Sequence, residues 1–406
     1  MHIVVQKYGG SSVATPQHIM NVAKRVVKLK EQSENVVVVV SAMGKTTNEL
    51  IALAHKITPN PDYREMDMLL ACGENISISL LSMAIHSLGE KAISLTGHQV
   101  GIMTDTIHTG AKIMHINTDR IIQHLKEGKI VIVAGFQGVT NENEITTLGR
   151  GGSDTSAVAL AAALKAAVCE ILTDVDGIYT TDPNLVRSAK KIKMMSYDEV
   201  LEMAFMGAKV LHTRIVEIAR RYKIPIHVRS SFDMVEGTIM KEDSDMEKVI
   251  VRGIAHNENI IKVSIVGVPD QPGIASKTFK TMGEKNLQIT LISQAQSHNN
   301  LNDITFTVAT TNMELVKDTV DKLAKEINAQ SVVYRDDIAT LSVIGEGIST
   351  SPQIPGKIFE ILAENNINID VISSSPLTIS CIIDKDQIKT AVSALHQELI
   401  ENEVEF

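Results

Sequence analysis

Residues 128–179, GKIVIVAGFQGVTNENEITTLGRGGSDTSAVALAAALKAAVCEILTDVDGIY, decide the fold. A β-branched run, IVIVA, stops at a glycine loop, and a long polar excursion closes on Arg150, Gly151 and Gly152. The small-residue stretch SDTSAVALAAAL then has helical composition, and CEILT is a second apolar run. Strands that are continuously apolar rather than alternating are strands covered by helices on both faces, as in a parallel sheet. The same alternation extends outward. HIVVQKYGG, a helix near 17–32, NVVVVVSAM, a long helical stretch near 66–88 and KAISLTG come before it; a helix near 197–221 and IPIHVRSS come after. The pattern predicts a doubly wound, mainly parallel α/β domain over residues 1–240. Its glycine-rich turns lie at the C-terminal strand ends, where such sheets bind phosphate-bearing ligands.

The chain has 406 residues, 44% of them apolar, which is too long for one ordinary domain. Its net charge of −9, lack of tryptophan and lack of a Lys/Arg block argue against a nucleic-acid partner. The N-terminus carries no signal-like apolar run, and VVVVVSAM is far shorter than a membrane span, so a cytoplasmic protein is expected. Cys72, Cys169 and Cys381 are odd in number and each sits in an apolar stretch, which predicts buried reduced thiols. His98, His108, His115 and His212 have no metal-cage spacing and read as polar or capping residues. Met66, Met68, Met103, Met194, Met195, Met203 and Met206 read as core filler.

Composition changes at 241–259, a charged stretch read as a linker with an entry strand. Beyond it the chain repeats. KVSIVG at 262–267 answers TLSVIG at 340–345, and an 80-residue offset then pairs Lys277, Phe279, Glu284, Asn286, Ile289, Ile292 and Ser293 with Lys357, Phe359, Glu364, Asn366, Ile369, Ile372 and Ser373. Each copy reads as βαββαβ, over 260–337 and 338–406, the second ending on the strand NEVEF.

Phosphoryl transfer asks a protein for cations, backbone amides and positioning rather than covalent chemistry. VVQKYGGSSV supplies all three: Lys7, then a turn through Gly9, Gly10, Ser11 and Ser12 toward a helix N-terminus. VSAMGKTTNEL repeats the design with Ser41, Thr46 and Thr47. In LGRGGSDTSA, Arg150 offers a planar fork for a carboxylate, the glycines permit close backbone approach, and Ser153, Asp154 and Thr155 open a helix. EILTDVDGIYTTDPN runs a strand into a polar hairpin. There Thr173, Asp174, Asp176, Tyr179 and Asp182 suit a ribose, a base edge, a hydrated metal, or simply turns that bond their own backbone. Lys209, in MGAKVLHTR, precedes a helix within reach of a phosphate.

Together these elements resemble the amino-acid kinase superfamily and, in detail, the aspartokinases; KYGGSS is similar to their KFGGTS signature. The repeat resembles a tandem of ACT domains, ferredoxin-like modules that bind free amino acids where they pair. The resemblance covers essentially the whole chain. It implies ATP-dependent phosphorylation of the β-carboxylate of aspartate, the first step toward lysine, threonine and methionine, under feedback control by lysine and/or threonine. Lys7 would neutralise the transferred phosphoryl group and Asp154 would organise the catalytic lysines. Gly9, Gly10, Ser41, Thr173, Asp174, Tyr179 and Lys209 match ATP positions. Thr47, Glu74, Phe136, Arg150 and Ser153 match aspartate positions, with Glu74 reading the ammonium. Magnesium would arrive on ATP, with no protein ligand assigned. Asp270, Gly273, Ile274, Ala275 and Gln288 match effector positions. In the second repeat, Pro376 stands where an acidic residue commonly follows the serine, and Pro355 falls three residues late. A lysine pocket of the usual kind is therefore in doubt there. Relatives acting on glutamate, N-acetylglutamate, carbamate or UMP generally lack the paired tail, and a decayed, nonenzymatic sensor would not keep Lys7, Arg150, Asp154 and Lys209. Assembly is expected to be a homodimer, or a hetero-oligomer with a short ACT subunit started internally at Met246.

Overall fold

The computed structural model describes residues 1–32, 35–208, 211–242, 250–296, 301–310, 313–348 and 350–402. The chain divides into two compact units. The first comprises Met1–Ile178, Lys191–Leu201 and Val210–Ser244; the second comprises Tyr179–Lys190, Glu202–Lys209 and Asp245–Phe406.

An eight-stranded sheet forms the first unit. Its spatial order is Met194–Ser196, Thr238–Lys241, Ile226–Ser230, Val168–Thr173, Ile3–Tyr8, Asn35–Val40, Ile130–Ala134 and Ala92–Leu95. Every neighbouring pair is parallel except Ile226–Ser230 with Thr238–Lys241. Strand Ile3–Tyr8 is buried along its whole length at the centre, Gln6 and Lys7 included, and Ile130–Ala134, buried throughout as well, reads for that reason as a continuous apolar run. Helix Pro16–Glu31, capped by Thr15 with a proline at its first position, packs its Ile19, Val22, Ala23 and Val26 face over the sheet together with Ile78, Leu81 and Ile85. The expected long helix is two, Tyr63–Leu70 and Cys72–Ser87. By length and composition the stretch Tyr63–Ser87 passes as a membrane span, but more than half of it is buried in the unit, Asp67 and Glu74 included. It is a core helix. Four short strands that composition does not announce, Ile102–Thr104, Ile113–Ile116, Gln137–Val139 and Ile145–Thr147, make a separate small sheet. The helix expected near 197–221 is likewise two, Tyr197–Phe205 and Thr213–Tyr222, the second capped by the His212 side chain.

The second unit holds two four-stranded antiparallel sheets. The first repeat orders Ile289–Gln296, Leu301–Ala309, Ile260–Pro269 and Ser331–Arg335, with helices Ile274–Glu284 and Met313–Glu326 packed on them. This is the expected βαββαβ module. The second orders Gly253–Asn257, Ile338–Ile344, Thr378–Asp384 and Val371–Ser374, with helices Gln353–Glu364 and Ile388–His396. Its fourth strand comes from inside the stretch read as linker, because Ile254 and Ala255 bury against Ile338–Ile344 before the first repeat begins. Of the expected strand NEVEF, residues 403–406 lie outside the described residues, as does Met246. Ile260, Leu291, Ile338 and Ile382 form one cluster joining the two repeats. Two segments from the kinase half also belong here. Val186 is buried in the second repeat's core, Thr180 Oγ1 lies 2.8 Å from His396 Nε2, and Thr378 Oγ1 donates to Glu202 at 3.0 Å.

Two composition-based expectations need correction. Cys72 is exposed at the start of its helix, unlike buried Cys169 and Cys381, because the apolar run around it turns only one face inward. Met68 is exposed for the same reason, on the helix side opposite Met66 and Leu70.

Candidate active site

Parallel strands deliver their C-terminal residues to one edge of the sheet. Lys7 lies in register with Val39 on one neighbour and Ile171 on the other, so its side chain and the turns after all three strands meet at that edge. The ammonium of Lys7 is nearly buried and sits 2.6 Å from Asp154 Oδ1, a close ion pair. Asp154 stands in the first turn of helix Gly152–Leu164, which has no side-chain cap; the Gly152 amide donates to Gly149 O at 2.9 Å, and the amides of Ser153 and Asp154 that follow it are the ones open to a ligand. Gly151 enters that helix at φ 70°, a left-handed conformation that favours glycine. At Gly10 a Cβ would lie 2.9 Å from the Ala42 carbonyl, so the two strand-end turns meet only because that side chain is absent.

Glu74 is the most perturbed acid of the site. It is 2% exposed; Oε1 accepts the Ala42 amide at 3.0 Å, while Oε2 is buried without a partner. Burial pushes its carboxyl up to about 7, only partly offset by the Ala42 amide. A buried anion with one bare oxygen is a receptor for a cation.

A cavity of about 1120 Å³ collects these groups: Lys7, Ser41, Thr47, Glu74, Phe136, Arg150, Ser153 and Asp154 all line it. All five residues expected for aspartate are thus brought together with Lys7 and Asp154. Gly9 and Gly10 lie in the turn beside Lys7. Of the remaining nucleotide positions, Thr173 and Asp174 end strand Val168–Thr173 and bond each other at 3.1 Å. Tyr179 falls in the second unit and Lys209 outside the described residues. Among the described residues no cluster of three or more His, Cys, Asp or Glu is placed to hold a metal ion. In the second unit, Asp270, Gly273, Ala275 and Gln288 are exposed and Ile274 is half-buried at the turn into helix Ile274–Glu284, with Asp270 Oδ1 accepting from Asn302 at 2.9 Å. Sequence reading missed Thr109, Thr147 and the wall Asn48, Ile51 and His55, which also line the cavity. A helix face at i, i+3 and i+7 was the available signal for the last three.

Two family models match the chain: the amino acid kinase family over residues 2–230, and the ACT domain over 263–323 and 341–399. The aspartokinase of Mycolicibacterium smegmatis is 49% identical over 403 residues, 98% of this chain and 96% of that one. Aspartokinase 2 of Bacillus subtilis is 45% identical over 397 residues, 98% and 97% of the two chains. Among solved structures, E. coli aspartokinase III in complex with aspartate and ADP superposes with a TM-score of 0.82 at 26% identity, covering 98% of this chain and all of that one. The same protein in complex with lysine and aspartate gives 0.77 at 26% identity, covering 98% and 99%.

Proposed function

Because the chain belongs to the aspartokinases of the amino acid kinase family, we propose that it phosphorylates the β-carboxylate of L-aspartate with MgATP and that lysine and/or threonine inhibit it through the ACT tandem. The observation that carries the catalytic part is the single cavity that sets Glu74 and Arg150, readers of opposite charge, beside the Lys7–Asp154 pair. Aspartate is a zwitterion with a second carboxylate. Glu74 Oε2 accepts its ammonium and Arg150 grips a carboxylate bidentately, with Thr47, Phe136 and Ser153 completing the pocket. The free side-chain carboxylate attacks the γ-phosphorus of ATP, the bond to the bridging oxygen breaks, and ADP leaves. An ionised carboxylate surrenders no proton, so the site needs no general base. Lys7 and the leading amides of helix Gly152–Leu164 meet the negative charge on the transferred group. Thr173, Asp174, Tyr179 and Lys209 are assigned to the nucleotide. Magnesium is assigned to arrive on ATP, held mainly by its phosphates and water.

ADP release measured with ATP, magnesium and each acidic amino acid in turn tests this reading; aspartate alone should respond. The pH dependence tests the pocket more finely. Glu74 must be ionised to bind an ammonium, and its carboxyl titrates at about 7. As pH falls through that value protons compete with substrate. The aspartate KM should therefore climb toward tenfold per pH unit between 7 and 6 while the ATP KM stays flat. In Glu74→Gln the aspartate KM should be high and insensitive to pH over that range. A wild-type aspartate KM unchanged from pH 8 to 6 would remove Glu74 from this role.

For regulation, the turn carrying Asp270 is assigned to the effector. Asp270→Ala should raise the inhibitory concentration of lysine or threonine at least tenfold and leave uninhibited turnover unchanged. Unaltered inhibition would place the sensor elsewhere. Cutting the chain near residue 240 is the poorer experiment, because Val186 and Thr180 would lose the second repeat that buries them. A short ACT subunit begun at Met246 remains part of the proposal.

A further inference from the structure

Met66, Leu70 and Glu74, each four residues apart along Tyr63–Ser87, face the cavity. Asp67 is turned about 100° away from Met66, is 0% exposed, and does not touch the cavity. Its carboxylate nevertheless receives three donors from distant parts of the chain. Thr147 Oγ1 donates to Oδ1 at 2.5 Å, the Thr109 amide reaches both oxygens at 3.1 Å, and His108 Nδ1 lies 2.7 Å from Oδ2. A carboxylate only accepts, so the His108 proton sits on Nδ1.

Each partner leads to the opposite wall. Thr147 lines the cavity three residues before Arg150. Thr109 also lines it, at φ 63°, a left-handed conformation that a β-branched residue adopts only when its surroundings impose it. The Thr109 carbonyl presses on the turn before Arg150, where a Cβ at Gly149 would lie 3.1 Å from it. From the other side Arg214 holds the same two strips, donating to Leu148 O at 3.0 Å and to Ala111 O at 2.9 Å. Asp67 is thus a buried strut. One end is fixed to helix Tyr63–Leu70, which runs on through Ala71, itself helical at φ −60° and ψ −19°, into the helix that carries Glu74; the other is fixed to the strand and loop that carry Arg150.

We propose that Asp67, acting through Thr147 and Thr109, is a positioning residue that sets the separation between Glu74 and Arg150 and so fits the pocket to the span between the ammonium and carboxylate of aspartate. The proposal rests on the assignment of Glu74 and Arg150 to that substrate. Nothing in the strut touches the Lys7–Asp154 pair, so its loss should appear in one substrate only.

Steady-state kinetics on the full-length enzyme decide it. Asp67→Asn replaces an acceptor by a donor facing donors, and Thr147→Val removes one hydroxyl at constant shape. Each should raise the aspartate KM at least tenfold, with the ATP KM within twofold and kcat within threefold of wild type. Thr147→Ser, which restores the hydroxyl, should return the aspartate KM to within twofold. Combining Asp67→Asn with Thr147→Val should raise the KM by less than the product of the two separate effects, because both break one strut. Should Asp67→Asn yield no folded protein, the Thr147 pair decides alone. An aspartate KM that stays at the wild-type value in Thr147→Val, or one that rises together with the ATP KM, overturns the strut. Glu74→Gln separates the two levels: if it too leaves the aspartate KM unchanged, the pocket assignment itself has failed.

Discussion

Lys7→Met and Asp154→Asn are each expected to lower kcat by at least a hundredfold, about 2.7 kcal/mol of transition-state stabilisation, while both Michaelis constants stay within a few-fold. The reason lies in the pairing. Lys7 ends the central strand with neighbours on both sides, so its ammonium has little freedom, and Asp154 fixes what remains at 2.6 Å. A cation held in place before the reaction needs no reorganisation as charge builds on the transferred phosphoryl group. Lys7→Met keeps most of the side-chain volume and removes the charge. Asp154→Asn keeps the shape and frees the ammonium. If Asp154 acted as a base instead, activity would fall with its protonation and Asp154→Asn would abolish a limb of the pH profile. A pH profile of kcat that keeps its shape, scaled down by the same factor throughout, is the result expected of an organiser. Near wild-type kcat in either variant at saturating substrates would show that the phosphoryl group is transferred elsewhere.

How much of this was legible in the sequence follows the range of the interactions involved. The inner strands Ile3–Tyr8, Asn35–Val40 and Ile130–Ala134 are buried on both faces, so their β-branched composition marks them and the turns at their ends could be located from Gly9, Gly10 and Gly151, whereas the short outer strands Met194–Ser196 and Thr238–Lys241 were not read. Eight candidate residues then fell in one cavity because a parallel sheet sends its loops to one edge. What stayed hidden depends on partners far along the chain. An entry strand could be read within 241–259, but not that it is Gly253–Asn257 and completes the second repeat by pairing with Ile338–Ile344. Asp67, in YREMDMLL, looks like the polar face of an amphipathic helix, and its burial is decided by Thr147, 80 residues on. Tyr179–Lys190 reads as kinase sequence, yet Val186 finds its core against the second repeat. Local patterning carries no trace of such choices.

Arg150→Lys should raise the aspartate KM about thirtyfold or more and leave the ATP KM within twofold. Arg150 follows Gly149 and precedes the Gly151–Gly152 entry to a helix, is exposed, and lines the cavity with Glu74. It is available to a carboxylate. A guanidinium meets that carboxylate with two parallel N–H bonds in a fixed plane, whereas the lysine ammonium is a point charge on a flexible stem and keeps its hydration more strongly. Losing one charge-assisted bond and the orientation it gives costs about 2–3 kcal/mol, which at 1.4 kcal/mol per decade is of order a hundredfold in affinity. Direction matters more than size here, because Arg150 also stands two residues before the helix whose amides are assigned to phosphate. Were its main task to hold the nucleotide, Arg150→Lys would raise the ATP KM instead and spare aspartate. That result would move Arg150 to the nucleotide side and leave Glu74, with its one bare oxygen, as the residue that selects an amino acid.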